Sequence, residues 1–375
     1  MKSGETVLLA LDWAKAFDSM SPAALTVCLQ RFGLPEKFLN IVSAIYEDTR
    51  FTVRDSGRES ASKEQKVGVS QGCPLSPFLF SILMTILMHD ARKKLEEQGW
   101  QLSQELLCHE LLYADDTLII DSDKDVVHAY MMAISEIGKS LGLSLNWSKV
   151  ELLPLKTDCD IRTPSGQPIK KKSSIKYLGS TLAADGLIHN ELARRLGCAT
   201  ADFKVLQRLW NHSTLSVKKK LQIFDACVIS KLTYGLHVAW LNKAERRRLD
   251  GFHCRCLRSI MKIPMAFYSR VSNVEVLRRA QTRPVTTVLL ERQLLYLHRL
   301  ANLPGDSQLR RSVFRPGSFE LQRPAGVRRV GRPRTNWADA VWAAALEAAG
   351  SEQALVSFLD TRISAWRGEV RRHLA

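Results

Sequence analysis

Three aspartates carry the most evident chemical potential in this sequence. Asp115 and Asp116 stand side by side between two apolar runs, Leu111-Leu112-Tyr113-Ala114 and Thr117-Leu118-Ile119-Ile120, a pattern that reads as strand, tight turn, strand. An Asp pair in a turn is ordinarily turn chemistry. Here the flanking runs press the turn against a core, and a third carboxylate, Asp12, ends another apolar run from Val7 to Leu11. If those strands are neighbours, the carboxylates converge. Convergent carboxylates repel one another unless cations neutralise them. An oxygen-only donor set favours Mg²⁺, with Mn²⁺ as a substitute. Two such ions about 4 Å apart would activate an attacking hydroxyl and stabilise the leaving oxygen of a phosphoryl transfer.

A second segment with chemical character is Ser70-Gln71-Gly72-Cys73-Pro74-Leu75-Ser76-Pro77. Gly72 permits close backbone approach, and Pro77 suits the first turn of a helix. The loop is either an ordinary helix N-terminus or a platform for a nucleotide or template, and its residues alone leave both readings open.

The elements that must position these residues follow from periodicity. Val7 to Leu11 is a buried strand delivering Asp12 at its tip. Pro35 opens a helix with apolar positions at Phe38, Ile41, Val42 and Ile45. Phe51 to Arg54 and Gln65 to Val69 flank a polar turn and predict a hairpin. A long helix is expected from about Pro77 to Gln98. Another carries Val127, Met131, Ile134, Ile137 and Leu141 and closes at Gly142. Short strands are expected at Ser144 to Asn146 and at Ile175 to Leu178. This order predicts an α+β fold, with helices backing a small antiparallel sheet. From about Asn190 the pattern turns mostly helical, as at Leu215 to Leu236, Lys243 to Met261 and Trp337 to Ala349. A breaker-rich basic stretch between Pro304 and Arg334 reads as a loop or linker.

Composition sets the bounds. The 375 residues are 45% hydrophobic and 25% charged, enough for two or three structural units. The net charge of +16 is unevenly held. Residues 1–189 carry 21 Lys and Arg against 24 Asp and Glu, whereas residues 190–375 carry 33 against 14. The second half would therefore attract a polyanion with salt-dependent affinity. The apolar stretch from Leu75 to Met88 is too short to span a bilayer, and no terminal stretch reads as a targeting signal, so an intracellular protein of nucleus or cytoplasm is expected. The eight cysteines are scattered. Only Cys254 and Cys256, beside His253, are close together. Their spacing is not that of a zinc pair, so reduced, mostly buried thiols are expected.

The motifs together resemble the reverse transcriptases of non-LTR (LINE-type) retrotransposons. Leu11-Asp12-Trp13-Ala14-Lys15-Ala16-Phe17-Asp18 looks like their motif A, and Gly68 to Pro77 resembles motif B. Tyr113-Ala114-Asp115-Asp116 matches motif C, and Leu143 to Lys149 is similar to motif D. Tyr177-Leu178-Gly179 resembles motif E, the primer grip. The resemblance implies a polymerase palm at 1–188, a helical thumb-like region at 189–302, and a basic linker with C-terminal helices at 303–375. It implies that Asp12 and Asp115 are the principal ligands of two Mg²⁺ ions, with Asp116 supporting them. Phe17 would exclude a ribose 2′-hydroxyl. Gln71, Gly72 and Tyr113 would meet the incoming nucleotide and template. Lys149 would protonate the pyrophosphate leaving group, unless it is only a solvated lysine beside a strand. Asp18 is expected to be structural.

The implied partners are an RNA template, a DNA primer or RNA–DNA hybrid, and dNTPs, with no membrane. Leu232 to Gly235, Trp240 and Arg248 to Leu257 resemble the helical region that follows the polymerase core in such elements. Arg328, Arg329, Arg332 and Arg334 belong to a basic segment expected to touch phosphates. Gly331-Arg332-Pro333 also forms the core of a minor-groove hook, but Val330 stands where that hook requires arginine.

Asp12 follows Met1 by only eleven residues, whereas fingers precede motif A in these enzymes. The fingers and an endonuclease domain are therefore expected to be absent, as is a cysteine-rich knuckle because no cysteine follows Cys256, and primer extension by this chain alone is expected to be weak or absent. Two functional readings follow: an RNA-directed DNA polymerase core, or a remnant that binds nucleic acid without polymerising. Phe17 and the Tyr-Ala-Asp-Asp form argue against an RNA-dependent RNA polymerase.

Overall fold

The computed structural model describes residues 5–104, 106–212, 214–322 and 335–374. The chain divides into two compact units, Met1–Asp185 and Gly186–Ala375.

The first unit is built around one apolar strand, β1 (Thr6–Leu11). It leads into a short helix, α1 (Ala16–Ser19), and then into α2 (Pro22–Phe32) and α3 (Glu36–Tyr46). Ser21 caps α2 by accepting from the Ala24 N–H, with Pro22 in the first turn, and Gly33 ends the helix at φ 95°. A charged arm follows, made of β2 (Arg50–Phe51), β3 (Arg54–Asp55), β4 (Arg58–Glu59) and β5 (Lys63–Glu64). In it β2 pairs with β5 and β3 with β4, so a hairpin forms, but its returning strand is Lys63–Glu64 and not the expected Gln65 to Val69. The long helix α4 (Ser76–Glu97) starts at the end of the Ser70–Pro77 loop. After it come β6 (Glu110–Tyr113), β7 (Asp116–Asp121) and α5 (Lys124–Ser140). The unit closes with β8 (Glu151–Leu155), β9 (Lys170–Lys171), β10 (Ser174–Tyr177) and β11 (Ser180–Ala183).

The main sheet has the order β6-β7-β1-β8-β9, with β1 at its centre and antiparallel to both neighbours. Strand alternation then sorts the side chains. Val7, Leu9, Leu11, Ile119 and Leu152 join the large core that includes Leu83 of α4 and Ile134 of α5. Leu8, Leu118 and Leu153 face the other way and pack with Ile175 of the β10–β11 hairpin. The sheet is thus covered on both faces, which explains why β1 reads as an unbroken apolar run.

Two expectations need correction here. Ser144 to Asn146 is not a strand: Leu145 makes only an isolated bridge to Trp13. The strand beside β1 is instead Glu151–Leu155, which the sequence reading missed because Pro154 argues against a central strand. The structure tolerates that proline because β9 pairs only with Glu151 and Leu152, leaving Pro154 on a free edge.

The second unit is helical. It comprises α6 (His189–Val205), α7 (Gln207–Asn211), α8 (Val217–Phe224), α9 (Ser230–Leu232), α10 (Lys243–Met261), α11 (Ala266–Ser269) and α12 (Asn273–Ala280). These are followed by α13 (Val285–Ala301), α14 (Gln308–Arg311), α15 (Trp337–Ala349), α16 (Glu352–Leu359) and α17 (Ile363–His373). The helix expected from Leu215 to Leu236 is interrupted by a π-turn at Asp225–Ile229, and its last helical turn ends at Leu232, before Gly235 at φ 74°. By contrast α10 and α15 have the expected bounds, and both are capped: Asn242 and Glu245 form a capping box on α10, and Asn336 caps α15.

One apolar core of this unit surrounds Trp210, Phe224 and Leu257, and another surrounds Phe314, Val341 and Trp366, with α13 contributing to both. No helix among the described residues is long and apolar enough to cross a membrane. Arg328, Arg329, Arg332 and Arg334 lie outside the described residues. The thiols are less buried than expected: Cys28, Cys159, Cys254 and Cys256 are buried, whereas Cys198 and Cys227 are exposed.

Candidate active site

The sheet brings the three aspartates to one end. The last residue pair between β1 and β7 is Leu11 with Thr117, so Asp12 and Asp116 lie one step beyond it on adjacent strands. Across the β6–β7 turn Tyr113 pairs with Asp116, leaving Ala114 and Asp115 as the turn itself. Ala114 holds a left-handed φ of 52° there. Lys15, just after Asp12, has φ 50°, and Leu178 in the β10–β11 turn has φ 46°. Each such conformation costs about 1–2 kcal/mol in a residue with a Cβ. Three of them lie in the very loops that the motifs supply.

The carboxylates are close enough to feel one another. Desolvation, then the charges of Asp115 and Asp12, raise the Asp116 carboxyl above the ordinary carboxylate range. Lys149 answers this negative field, with its Nζ 3.4 Å from Asp12 Oδ2. The segment carrying Lys149 is pinned to Asp12 through the backbone: Asn146 N–H donates to Asp12 O at 2.7 Å, and Ala14 N–H to Ser144 O at 2.8 Å. The donor set is oxygen only, which fits Mg²⁺ or Mn²⁺. Among the described residues, no group of three or more His, Cys, Asp or Glu side chains is drawn together as a ligand cluster.

Motif B sits directly on motif A. Gly68 N–H donates to Met20 O at 2.7 Å and Val69 N–H to Phe17 O at 2.8 Å. A Cβ at Gly68 would lie 2.7 Å from Asp18 O, so only glycine allows this approach. Gln71 Nε2 donates to Asp18 Oδ1 at 3.0 Å, so Asp18 ties the two loops together. Gly72 has φ 93° and open space on its Cβ side. Phe17 is half-buried and stacked on Phe80 of α4, with ring centroids 4.5 Å apart. Tyr113 is exposed. Tyr177 Oη donates to Leu111 O at 2.9 Å, fastening the β10–β11 hairpin to β6. Burial first, then the Asp116 charge, pushes the Tyr177 hydroxyl up to about 12.

Sequence reasoning missed the support beneath Asp12. Trp13 is buried, and its Nε1 donates to Thr117 Oγ1 at 3.2 Å. Its ring lies so close to α5 that a Cβ on Gly138 would meet it at 2.7 Å. A glycine inside the Val127–Leu141 periodicity was the available signal. His253, singled out beside Cys254 and Cys256, is buried and stacked on Phe224, and burial lowers it to about 4. That is the behaviour of a core histidine.

Comparison with known proteins adds an independent line. Residues 1–182 match the family model described as "Reverse transcriptase (RNA-dependent DNA polymerase)". The chain is 24% identical over 306 residues to a Pol polyprotein from the type-1 retrotransposable element R2 of Popillia japonica, covering 76% of this chain and 41% of that protein. It is 24% identical over 281 residues to the RNA-directed DNA polymerase of the mobile element jockey from Drosophila melanogaster, covering 71% of this chain and 29% of that one. The chain thus spans less than half the length of these curated relatives. Among solved structures, apo telomerase from Candida Tropicalis aligns with 77% of this chain and 46% of its own at TM-score 0.40 and 15% identity, too loosely to bear on the site.

Proposed function

We propose, since residues 1–182 belong to the reverse transcriptase family of RNA-dependent DNA polymerases, that this chain supplies a non-LTR retrotransposon core that adds dNTPs to a primer 3′-hydroxyl on an RNA template. The observation that carries the reading is the placement of Asp12, Asp115 and Asp116 at one end of the β1–β7 pair, close enough to raise Asp116. The family uses divalent metal ions, and two Mg²⁺ held by these three aspartates would supply nucleophile activation and charge neutralisation in phosphoryl transfer.

The other residues then take roles from their positions. Lys149, beside Asp12, donates a proton to the pyrophosphate leaving group. Phe17, immobilised on Phe80, offers a fixed ring edge against a 2′-hydroxyl. Gln71 and Gly72 receive the incoming nucleotide, because the open side of Gly72 lets it approach the backbone. Tyr113 contacts template or nucleotide from its exposed position beside Asp116. The Tyr177-Leu178-Gly179 turn holds the primer end. Residues 1–188 act as the palm, 189–302 as a thumb-like region and 303–375 as a basic C-terminal segment. The excess of 33 Lys and Arg over 14 Asp and Glu after residue 189 engages RNA or RNA–DNA hybrid, with Arg328, Arg329, Arg332 and Arg334 among the phosphate contacts.

The test is extension of a labelled DNA primer on an RNA template with dNTPs and Mg²⁺. Templated incorporation above the Asp115→Ala background is expected. Equal incorporation by wild type and Asp115→Ala would sink the reading. Retained salt-sensitive binding without any incorporation would favour a nucleic-acid-binding role alone.

A further inference from the structure

The turn that follows α10 presents large apolar side chains to solvent where burial would be expected. Met265, Phe267 and Tyr268 are 73%, 73% and 77% exposed, all within one short helix and its cap. A single exposed aromatic is ordinary. Three large apolar side chains within four residues form a patch that needs a reason.

The loop bearing them is held firmly. Arg258 is buried at the base of α10, and its guanidinium donates to Pro264 O at 3.1 Å, Val271 O at 2.7 Å and Asn273 Oδ1 at 3.0 Å. Ser269 Oγ donates back to Pro264 O at 3.0 Å. Lys262 and Arg270 both adopt left-handed conformations, φ 59° and 57°, to turn the chain in and out. A buried cation satisfied by three acceptors makes the knuckle rigid, so little ordering entropy is lost when its rings are used.

The surroundings define the chemistry. Of the seven Lys and Arg from Arg255 to Arg283, Arg258 is buried, Arg278 and Arg279 are paired with Glu275 and Arg283 with Glu291, which leaves Arg255, Lys262 and Arg270 without a carboxylate partner among the described residues. Arg255, Lys262 and Arg270 are exposed, and Arg270 lies 5.6 Å from the Phe267 centroid. Phe267 and Tyr268 are edge to face, 5.3 Å apart at 84°, so their π-faces point in different directions. Rigid rings set in a cationic field match unpaired bases joined by phosphates: the rings stack on the bases and the cations meet the backbone.

We infer that the Pro264–Asn273 knuckle is a binding platform for single-stranded nucleic acid, with Phe267 and Tyr268 stacking on unpaired bases. The site lies apart from the three aspartates in sequence and needs neither metal nor dNTP.

The full chain is titrated, without Mg²⁺ or dNTP, into a fluorescein-labelled unstructured RNA of about 15 nucleotides and into the corresponding duplex. The result is therefore independent of whether the chain polymerises. The double variant Phe267→Ala/Tyr268→Ala should bind the single strand at least about fivefold more weakly. Its duplex affinity and salt slope should stay unchanged, because the phosphate contacts remain. Phe267→Trp with Tyr268→Phe should keep wild-type affinity. Unchanged single-strand binding by the alanine variant overturns the proposal, and so does an equal loss on duplex. Unchanged binding together with reduced self-association in light scattering would assign the patch to a second copy of the chain, and also overturns it.

Discussion

The strand Asp116–Asp121 carries an aspartate at each end, and the two live in opposite surroundings. Asp121 is fully buried and accepts from Ser103 N–H at 3.0 Å, Ser103 Oγ at 2.7 Å and Asp123 N–H at 3.0 Å, with His109 Nδ1 3.2 Å away. Its negative charge is fully used in fastening the loop before β6 to the sheet. Asp116, at the other end of the strand, has no hydrogen-bond donor to its side chain among the described residues and is raised by desolvation and two neighbouring carboxylates. A carboxylate left without donors in a crowd of its own kind is poised for a cation. Residue type alone would not separate the two.

That contrast can be broken by one substitution at each end. Asp116→Asn should lower dNTP incorporation by about 10³ or more, because several kcal/mol of metal-mediated charge stabilisation depends on its oxygens. The same change should raise the melting temperature. A carboxyl whose proton affinity is raised by folding favours the fold at low pH and loses that advantage as pH rises through its elevated value. At neutral pH ionised Asp116 therefore destabilises, and asparagine removes the penalty. Asp121→Asn should do the reverse, costing about 3 kcal/mol by turning an NH₂ toward groups that donate. If Asp116→Asn melts below wild type, the repulsion argument is wrong.

A smaller effect is expected where the helices steady the site from behind. Gly138→Ala should cost about 1–3 kcal/mol by overpacking the buried Trp13 ring, which its Thr117 bond prevents from moving freely. Because Trp13 is bonded to Asp12 in the chain, incorporation should fall mainly in kcat. Pairing Gly138→Ala with Trp13→Phe should recover part of both losses, and failure of that rescue would detach α5 from the site.

The same contrast explains what could be read in advance. Asp12, Asp115 and Asp116 were legible because each ends an apolar strand, and strand period fixes where such ends lie. The bounds of α10 and α15 were legible because Asn242 and Asn336 are strong N-caps. Glu151–Leu155 was hidden by Pro154, whose tolerance depends on how far β9 extends, a property of another segment. Trp13 on Gly138, Gln71 on Asp18 and the Arg258 staple were hidden for a related reason. Each joins residues on different elements, and no local pattern encodes the pairing. The π-turn at Asp225–Ile229 has no sequence signal that we can identify.

The smallest effect concerns the β10–β11 hairpin, which Tyr177 fastens to β6, the strand that leads into the turn carrying Asp115. Tyr177→Phe removes the 2.9 Å bond to Leu111 O and should cost about 1 kcal/mol, with a weaker hold on the primer read as a raised KM for primer-template. The pH dependence reads the surroundings of the hydroxyl. A tyrosine in the unfolded chain titrates near 10, and burial together with the Asp116 charge holds Tyr177 up at about 12. A raised acid stabilises the fold fully below the unfolded value and loses that contribution as pH climbs through the folded one. The melting advantage of wild type over Tyr177→Phe should therefore be constant up to about pH 9 and shrink between about pH 10 and about pH 12. An advantage that stays flat across that window would mean that the hydroxyl is neither buried against β6 nor within reach of the Asp116 charge.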